Sequence, residues 1–423
     1  MLRFLFFISV FLFFVNCTTT KVDLKKLNLA ETNIVFNTPS FQDFKCAFKA
    51  LQPTEAYNLA ETEAQKLAAE GLNYVIQSKY DEAIEKFVEA LSKDDKLSDL
   101  LLSFIIYYHS IIVHDEEKFV KRSKIIDLLI DSSFVFYNVP DFPIEFLEDS
   151  VAIPIILKKG VPLIQIKFNG KYYSFLIDTG CDKTFISKKL ANISDVVYVK
   201  GSTPVNTIDG KLNASAGVLP QVDLGKIKIS NLPVWITNKN DALNLKFLLI
   251  TIFKCDGVIG WDLLNKFDFS IDYKNKNLIL RKYVKKDIKH KNLFWYRFPI
   301  VKFYCDNYPV TAFLDTGSGL TAFYQKPTLT KILGLDTNIL KKKTKRLGGG
   351  AGNIIKEHYY KYPKMQLYTI VKNDINYINV EKVFFKNTFT STTPVNIDVL
   401  LGSDLFSDKI IRVDMLNGIF EIE

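Results

Sequence analysis

The sequence predicts an all-β region built from two copies of one half-domain, preceded by a small α-helical domain. Three observations carry that prediction. From Val151 to Glu423 short apolar runs alternate with Gly, Asn and Asp turns, the pattern of many short strands. Within that region an apolar run ending in Asp-Thr-Gly occurs twice, in matching surroundings. Before it, Phe41–Ile130 shows Ala and Leu at three- and four-residue steps, with proline only at Pro53, which reads as helix. A chain of 423 residues exceeds a single core, and 48% hydrophobic with 24% charged residues excludes a disordered chain.

Taken in order, residues 1–17 read as a secretory signal. Arg3 precedes the apolar stretch Phe4–Val15, which is shorter than the roughly 20 apolar residues a spanning helix needs. Asn16 and Cys17 follow, and a cysteine at that point resembles the lipidation site of bacterial lipoproteins, although Phe14-Val15-Asn16-Cys17 lacks the usual leucine and small residue. Lipidation at Cys17 implies an exported, membrane-anchored protein facing the periplasm or cell surface. An uncleaved anchor and an ordinary signal peptide are the alternatives. Residues 18–40 form a polar spacer.

The helical domain covers residues 41–135. Gly71, Tyr74, Tyr80, Ala83, Phe87 and Ala90 stand at the offsets of a tetratricopeptide repeat, with Asp95 in place of the usual terminal proline. Small residues (Gly71, Ala83, Ala90) suit a close helix crossing, and Tyr74 and Phe87 fill the groove. A single repeat leaves one face uncovered, so Leu97–Val113 and Phe119–Leu129 are expected to supply neighbouring helices. The domain reads either as a docking unit for a protein partner or as a purely structural bundle.

The two β copies are assigned to residues 151–283 and 292–423. Pro162 stands sixteen residues before Asp178, as Pro299 does before Asp315. The first copy reads Phe175-Leu176-Ile177-Asp178-Thr179-Gly180 and the second Ala312-Phe313-Leu314-Asp315-Thr316-Gly317. Another apolar run follows each, at Phe185-Ile186 and Ala322-Phe323. Far downstream come Val258-Ile259-Gly260-Trp261-Asp262-Leu263 and Leu400-Leu401-Gly402-Ser403-Asp404-Leu405. Each copy closes on a strand and hairpin, Ile271-Asp272-Tyr273 and Val413-Asp414-Met415. Strands are expected over Val161–Phe168, Ser174–Ile177, Ile227–Ile236, Phe267–Tyr273 and Leu278–Arg281. One Asp-Thr-Gly arises readily by chance; two with matching distal glycine motifs do not.

On these motifs, residues from about Val151 to Glu423 resemble two fused copies of the retropepsin-like aspartic peptidase fold, a pepsin/retropepsin-like acid protease double barrel. The resemblance implies an aspartic endopeptidase acting on extended peptide or protein substrates, with Asp178 and Asp315 as the catalytic pair and no cofactor or metal. It also implies that Thr179 and Thr316 hydrogen-bond across the pseudo-axis. Two carboxylates a few ångströms apart cannot both ionise cheaply, so one keeps a proton while the other deprotonates water. Gly180 and Gly317 are expected to permit a sharp turn that aims backbone amides at the carboxylates. Gly260 and Gly402 are expected to let a loop pack behind that turn. Asp209-Gly210 and Gly349-Gly350 stand where flaps over the cleft are expected.

Cys181 follows the first motif where fused relatives carry Ser or Thr, whereas the second copy keeps Ser318. Asp262, Asp404, Asp272 and Asp414 are expected to cap helices or close turns. Asp182 has no counterpart in the second copy and reads as surface. The net charge of +9 is spread along the chain, so no nucleic-acid partner is implied, and the run Lys341, Lys342, Lys343, Lys345 and Arg346 reads as a solvated loop. After Cys17, the cysteines Cys46, Cys181, Cys255 and Cys305 show no zinc spacing; they read as buried thiols, with a Cys255–Cys305 bridge left open. His109, His114, His290 and His358 are scattered, which argues against metal or serine–histidine chemistry. The rival to an enzyme is a scaffold of the same fold that captures peptides without cutting them.

Overall fold

The structure, a computed structural model, describes residues 19–22, 41–112 and 142–423, the last apart from 208–209, 239–241, 248–249, 289, 297, 306–307, 325–341, 349–353, 361–364, 373, 381–384 and 387–394. Cys17, Asp209, Gly349, Gly350, Lys341 and the expected helix Phe119–Leu129 therefore lie outside the described residues.

Five α-helices occupy the N-terminal described segment: α1 (Phe44–Lys49), α2 (Pro53–Asn58), α3 (Glu63–Ile76), α4 (Tyr80–Lys93) and α5 (Ser98–Ile112). Their starts follow from local chemistry. Asp43 accepts the Cys46 amide at α1, Thr62 accepts the Gln65 amide at α3, and Pro53 opens α2, where its missing N–H has no role. Pro53 thus begins a helix instead of interrupting one. The α3–α4 hairpin closes tightly because Gly71 lies against Phe87: a Cβ there would sit 2.5 Å from Phe87 Cε1. Phe48, Phe87, Phe104 and Tyr108 then pack ring to ring as the core of this unit. The helices rest on the C-terminal β sheet, with Asn396 N donating to Lys49 O at 2.6 Å and Lys291 Nζ to Gln77 O at 2.8 Å.

Two sheets of like order make the β region. In the first, the antiparallel hairpin Val161–Phe168/Lys171–Ile177 lies beside Gly257–Ile259, then Phe185–Ser187, then Ile227–Thr237. In the second, Phe298–Cys305/Tyr308–Asp315 lies beside Val399–Gly402, then Ala322–Tyr324, then Phe385–Lys386. The central pairing is parallel in both, Ile259 opposite Ile177 and Leu401 opposite Leu314. The strands leading to each Asp-Thr-Gly are buried on both faces (Phe175, Leu176 and Ile177; Ala312, Phe313 and Leu314), which is why they read as continuous apolar runs. The hairpin turn Asn169-Gly170 places both residues at positive φ, 47° and 81°, the geometry a two-residue hairpin requires. The second sheet also takes in Thr19–Val22, antiparallel to Asp374–Val380.

A third sheet joins the two copies. Asp268–Asp272 pairs antiparallel with Ile410–Asp414, Ser270 facing Arg412, and Asn277–Arg281, Ile419–Ile422 and Ser150–Pro154 extend it. Arg412 holds the seam by donating Nε to Asp268 Oδ1 (2.9 Å) and Nη2 to Asp268 Oδ2 (2.7 Å), and Nη1 to Glu421 (3.1 Å).

Two expectations are corrected. The basic run is not a loop: Lys342–Gly348 is a strand paired with Ile354–Tyr360, whose Ile354, Ile355, Tyr359 and Tyr360 supply strong β-formers as partners. Not all four thiols are buried, and none is bridged: Cys255 and Cys305 are buried, Cys181 is half-buried, and Cys46 is exposed on the outer face of α1.

Candidate active site

Each Asp-Thr-Gly leaves the end of a buried strand, and the two turns meet. Asp178 is fixed by its amide donating to Ile259 O at 3.0 Å; Asp315 pairs with Gly402 at the equivalent place. The threonines lock one turn into the other. Thr179 N donates to Thr316 Oγ1 (3.1 Å) and Thr316 N to Thr179 Oγ1 (3.0 Å). Thr179 Oγ1 donates onward to Leu314 O (2.6 Å), and Thr316 Oγ1 to Ile177 O (2.9 Å). Both threonines are fully buried, so these four bonds form in a low-dielectric setting where loss of any one leaves a buried polar group unpaired.

Each carboxyl lies against the glycine of the opposite turn, which brings the two acids together, and both side chains are half-buried. Gly180 N donates to Asp178 Oδ1 and Ser318 N to Asp315 Oδ1, each at 2.9 Å. Gly180 and Gly317 stand in the turns, as expected, and the Gly180 amide does point at a carboxylate, although neither glycine adopts positive φ; the structure adds that both are needed for room. A Cβ on Gly180 would fall 2.5 Å from Asp315 Cγ, and one on Gly317 would fall 2.2 Å from Asp178 Cγ. Each glycine is the empty space into which the opposite carboxyl fits.

Burial pushes both acids up. Asp178 rises to about 6, opposed by the amides of Gly180, Cys181 and Gly317 and by the carboxyl of Asp315. Asp315 rises well above the ordinary carboxylate range, through burial first and then the charge of Asp178. Asp315 is raised the further of the two, and the pair titrates as one coupled unit that keeps a proton above the ordinary carboxylate range.

A supporting layer repeats in both copies and was only half legible in the sequence. Thr184 Oγ1 donates to Asp262 Oδ1 (2.8 Å) and accepts the Gly260 amide (3.1 Å). Thr321 Oγ1 donates to Asp404 Oδ1 (2.7 Å) and accepts the Gly402 amide (3.0 Å). Asp262 and Asp404 are thus cross-links to the strand after each motif, a correction to their expected capping role. Gly260 and Gly402 pack as expected on backbone: a Cβ on the first would meet Lys183 O at 2.3 Å, and on the second Leu320 C at 2.5 Å. Asp272 and Asp414 do close turns, accepting the amides of Asn275 (2.7 Å) and Asn417 (3.2 Å). Asp182 is half-buried, not a plain surface residue.

Four functional supports escaped the sequence reading. Thr184 and Thr321 stand six residues after the respective Asp, and that shared spacing was the available signal. Asp256 and Asp398 each precede a distal glycine by four residues. They bind the motif strand twice: Asp256 Oδ2 accepts from Ser174 N and Asp398 Oδ2 from Thr311 N, both at 2.9 Å, while each aspartate's amide donates back at 2.8 Å. Of the flap residues, Gly210 closes a hairpin opposite Thr207, between Val197–Thr207 and Gly210–Leu224; the other expected flap is the hairpin Lys342–Gly348/Ile354–Tyr360. Among the described residues no group of three His, Cys, Asp or Glu side chains could hold a metal ion.

A family model described as aspartyl protease matches residues 164–263. The matched segment runs from the strand before Asp178 through Gly260 to Leu263, so it contains the first motif, its distal glycine and the Thr184–Asp262 cross-link. No curated protein matches the chain. Among solved structures, an aspartic proteinase from Irpex lacteus matches with a TM-score of 0.42 at 9% identity, over 64% of this chain and 96% of its own. A retropepsin-like aspartic protease from Rickettsia conorii matches with a TM-score of 0.22 at 21% identity, over 34% of this chain and 97% of its own. The soybean Basic 7S globulin matches with a TM-score of 0.38 at 8% identity, over 65% of this chain and 96% of its own.

Proposed function

We propose that this chain is an aspartic endopeptidase that hydrolyses extended peptide or protein substrates with a water activated by Asp178 and Asp315, one from each copy. The observation that carries the reading is the shared carboxyl pair, clamped by the reciprocal Thr179–Thr316 bonds.

The chemistry follows from the unequal proton affinities. Asp178, ionised, accepts a proton from water as the water oxygen attacks the scissile carbonyl carbon. Asp315, protonated, donates to the carbonyl oxygen. The tetrahedral diol that results collapses when Asp178 passes its new proton to the amide nitrogen and one diol hydroxyl returns a proton to Asp315; the C–N bond breaks, and a new carboxyl and a new amine leave. No covalent enzyme intermediate and no cofactor is required. The buried threonine clamp keeps the two oxygens in place, so little reorganisation is needed as charge moves.

Cleavage of an unfolded protein, assayed between about pH 5 and 8, tests the reading. Asp178→Asn and Asp315→Asn are each expected to lower the rate about a hundredfold to ten-thousandfold, the range a general acid–base group contributes. The acid limb of the wild-type profile is expected near pH 6, where Asp178 ionises. Undiminished cleavage by either variant overturns the mechanism. Tight peptide binding without cleavage by the wild type and both variants alike would identify a capturing scaffold instead.

A further inference from the structure

The first copy reaches across to the second at one place beside the carboxyl pair. The hairpin turn between Ile156–Lys158 and Val161–Phe168 consists of Lys159 and Gly160, with φ of 57° and 87°. Gly319, four residues after Asp315 and exposed, lies under this turn: a Cβ there would meet Lys159 O at 3.2 Å and Val161 Cγ1 at 3.9 Å. A Cβ on Gly160 would in turn meet Ser403 Oγ at 3.8 Å, and that hydroxyl donates to Ser318 O. The turn is therefore pressed on the loop whose Ser318 amide holds the Asp315 carboxylate.

Its chemistry is distinct from its surroundings. Val161 belongs to a small apolar cluster of its own, against which Cys181 packs, so the floor on this side of the pair is apolar. Above that floor are two adjacent cations. Lys158 and Lys159 are both exposed, and Lys158 Nζ is held 5.6 Å from the Phe253 ring centroid. Lys159 is pushed down by partial burial and then by the charge of Lys158, as two ammonium groups held close together require.

We propose that the Lys158–Lys159–Gly160 turn is a wall of the substrate groove and that it selects an acidic side chain a few residues from the scissile bond, next to an apolar residue seated on the Val161 side. The proposal rests on the peptidase reading for its site and adds the substrate class. Two solvent-exposed cations each contribute modestly, so the selection is about fivefold at low salt and weakens as salt screens it.

The test uses the full chain and a peptide set with one apolar scissile pair, in which each of the three positions on either side carries Glu, Gln or Lys in turn. At one position kcat/KM is expected to favour Glu over Gln about fivefold and to disfavour Lys. In Lys158→Gln/Lys159→Gln the Glu-to-Gln ratio is expected to fall to about 1, the comparison being made within each protein. A wild-type ratio near 1 at every position, or an unchanged ratio in the variant, overturns the proposal. Should no peptide be cut, fluorescence anisotropy of the same labelled peptides on the wild type decides it. Tighter binding of the Glu peptide, lost in the variant, upholds the charge selection while the peptidase reading falls; equal affinities overturn the selection as well.

Discussion

The two Asp-Thr-Gly loops are alike where they touch each other and unlike one residue later. At the contact, Thr179 mirrors Thr316 and Gly180 mirrors Gly317, down to bonds of 3.1 and 3.0 Å in the two directions. Beyond it, Ser318 Oγ donates to Leu320 O (2.9 Å) and accepts the Leu320 amide (3.2 Å), tying its loop twice. Cys181 donates its thiol to Lys183 O at 3.1 Å and packs on the apolar cluster instead. Burial raises that thiol well above its ordinary range, and the negative charges of Asp178 and Asp182 raise it further, so it stays protonated beside the acid pair. Symmetry is thus held where each loop is the other's binding site and in the threonine–aspartate cross-links behind it, and it is relaxed at the residue after each glycine.

The largest effect is expected where symmetry is strictest. Gly180→Ala and Gly317→Ala each put a methyl inside the volume of the opposite carboxyl, so one acid must move by an ångström or more. Each should lower kcat/KM by about a hundredfold or more, the scale of loss that such a displacement brings. Gly317→Ala, with the shorter approach (2.2 against 2.5 Å), should lose more. Near-normal cleavage by either variant would break the idea that the glycines are room for the partner's acid.

Next comes the supporting layer, where the halves are also expected to behave alike. Thr184→Val and Thr321→Val keep shape but remove a hydroxyl that both donates to a buried aspartate and accepts a glycine amide. Each should cost about 2 kcal/mol in urea unfolding, the penalty for leaving such groups unpaired. A cost confined to one variant would show that only one copy depends on its cross-link, and the comparison would have to be redrawn around that copy.

What the sequence carried, and what it hid, follows the same division. The acids, the threonines and both pairs of glycines were legible because strict local chemistry forces the same residue types at the same spacing twice. The expected strands Val161–Phe168 and Ile227–Ile236 agree with the observed ones, the first because its apolar run is buried almost throughout, the second because buried Ile227 and Ile229 alternate with exposed Lys228 before a buried run. The room that Gly180 and Gly317 leave was not legible, since the carboxyl that fills it stands 135 or more positions away in the chain. Asp262 and Asp404 were misread because a helix start is a local signal, whereas their partners Thr184 and Thr321 are met only after the sheet closes. The basic run 342–346 was misread for a related reason: charge speaks of solvent, but pairing with Ile354–Tyr360 is decided by the partner strand.

The smallest effect concerns stability and its dependence on pH. Asp178 and Asp315 are both raised in the folded protein, so the native state binds more protons than the unfolded chain between pH 4 and pH 6 or above. The sign is fixed by linkage: stability is fullest below the unfolded value and declines as pH rises through the folded one. Asp178→Asn keeps an oxygen to accept the Gly180 amide while removing the ionisation, so the decline should be blunted. The variant should then exceed the wild type by about 1 kcal/mol at pH 7 to 8, and the advantage should vanish toward pH 4, as read by denaturant midpoints across that range. Asp315→Asn should gain at least as much at neutral pH, because Asp315, raised further, keeps a proton there that the unfolded chain has lost. A smaller gain from Asp315→Asn than from Asp178→Asn would mean that Asp315 is not the member with the higher proton affinity.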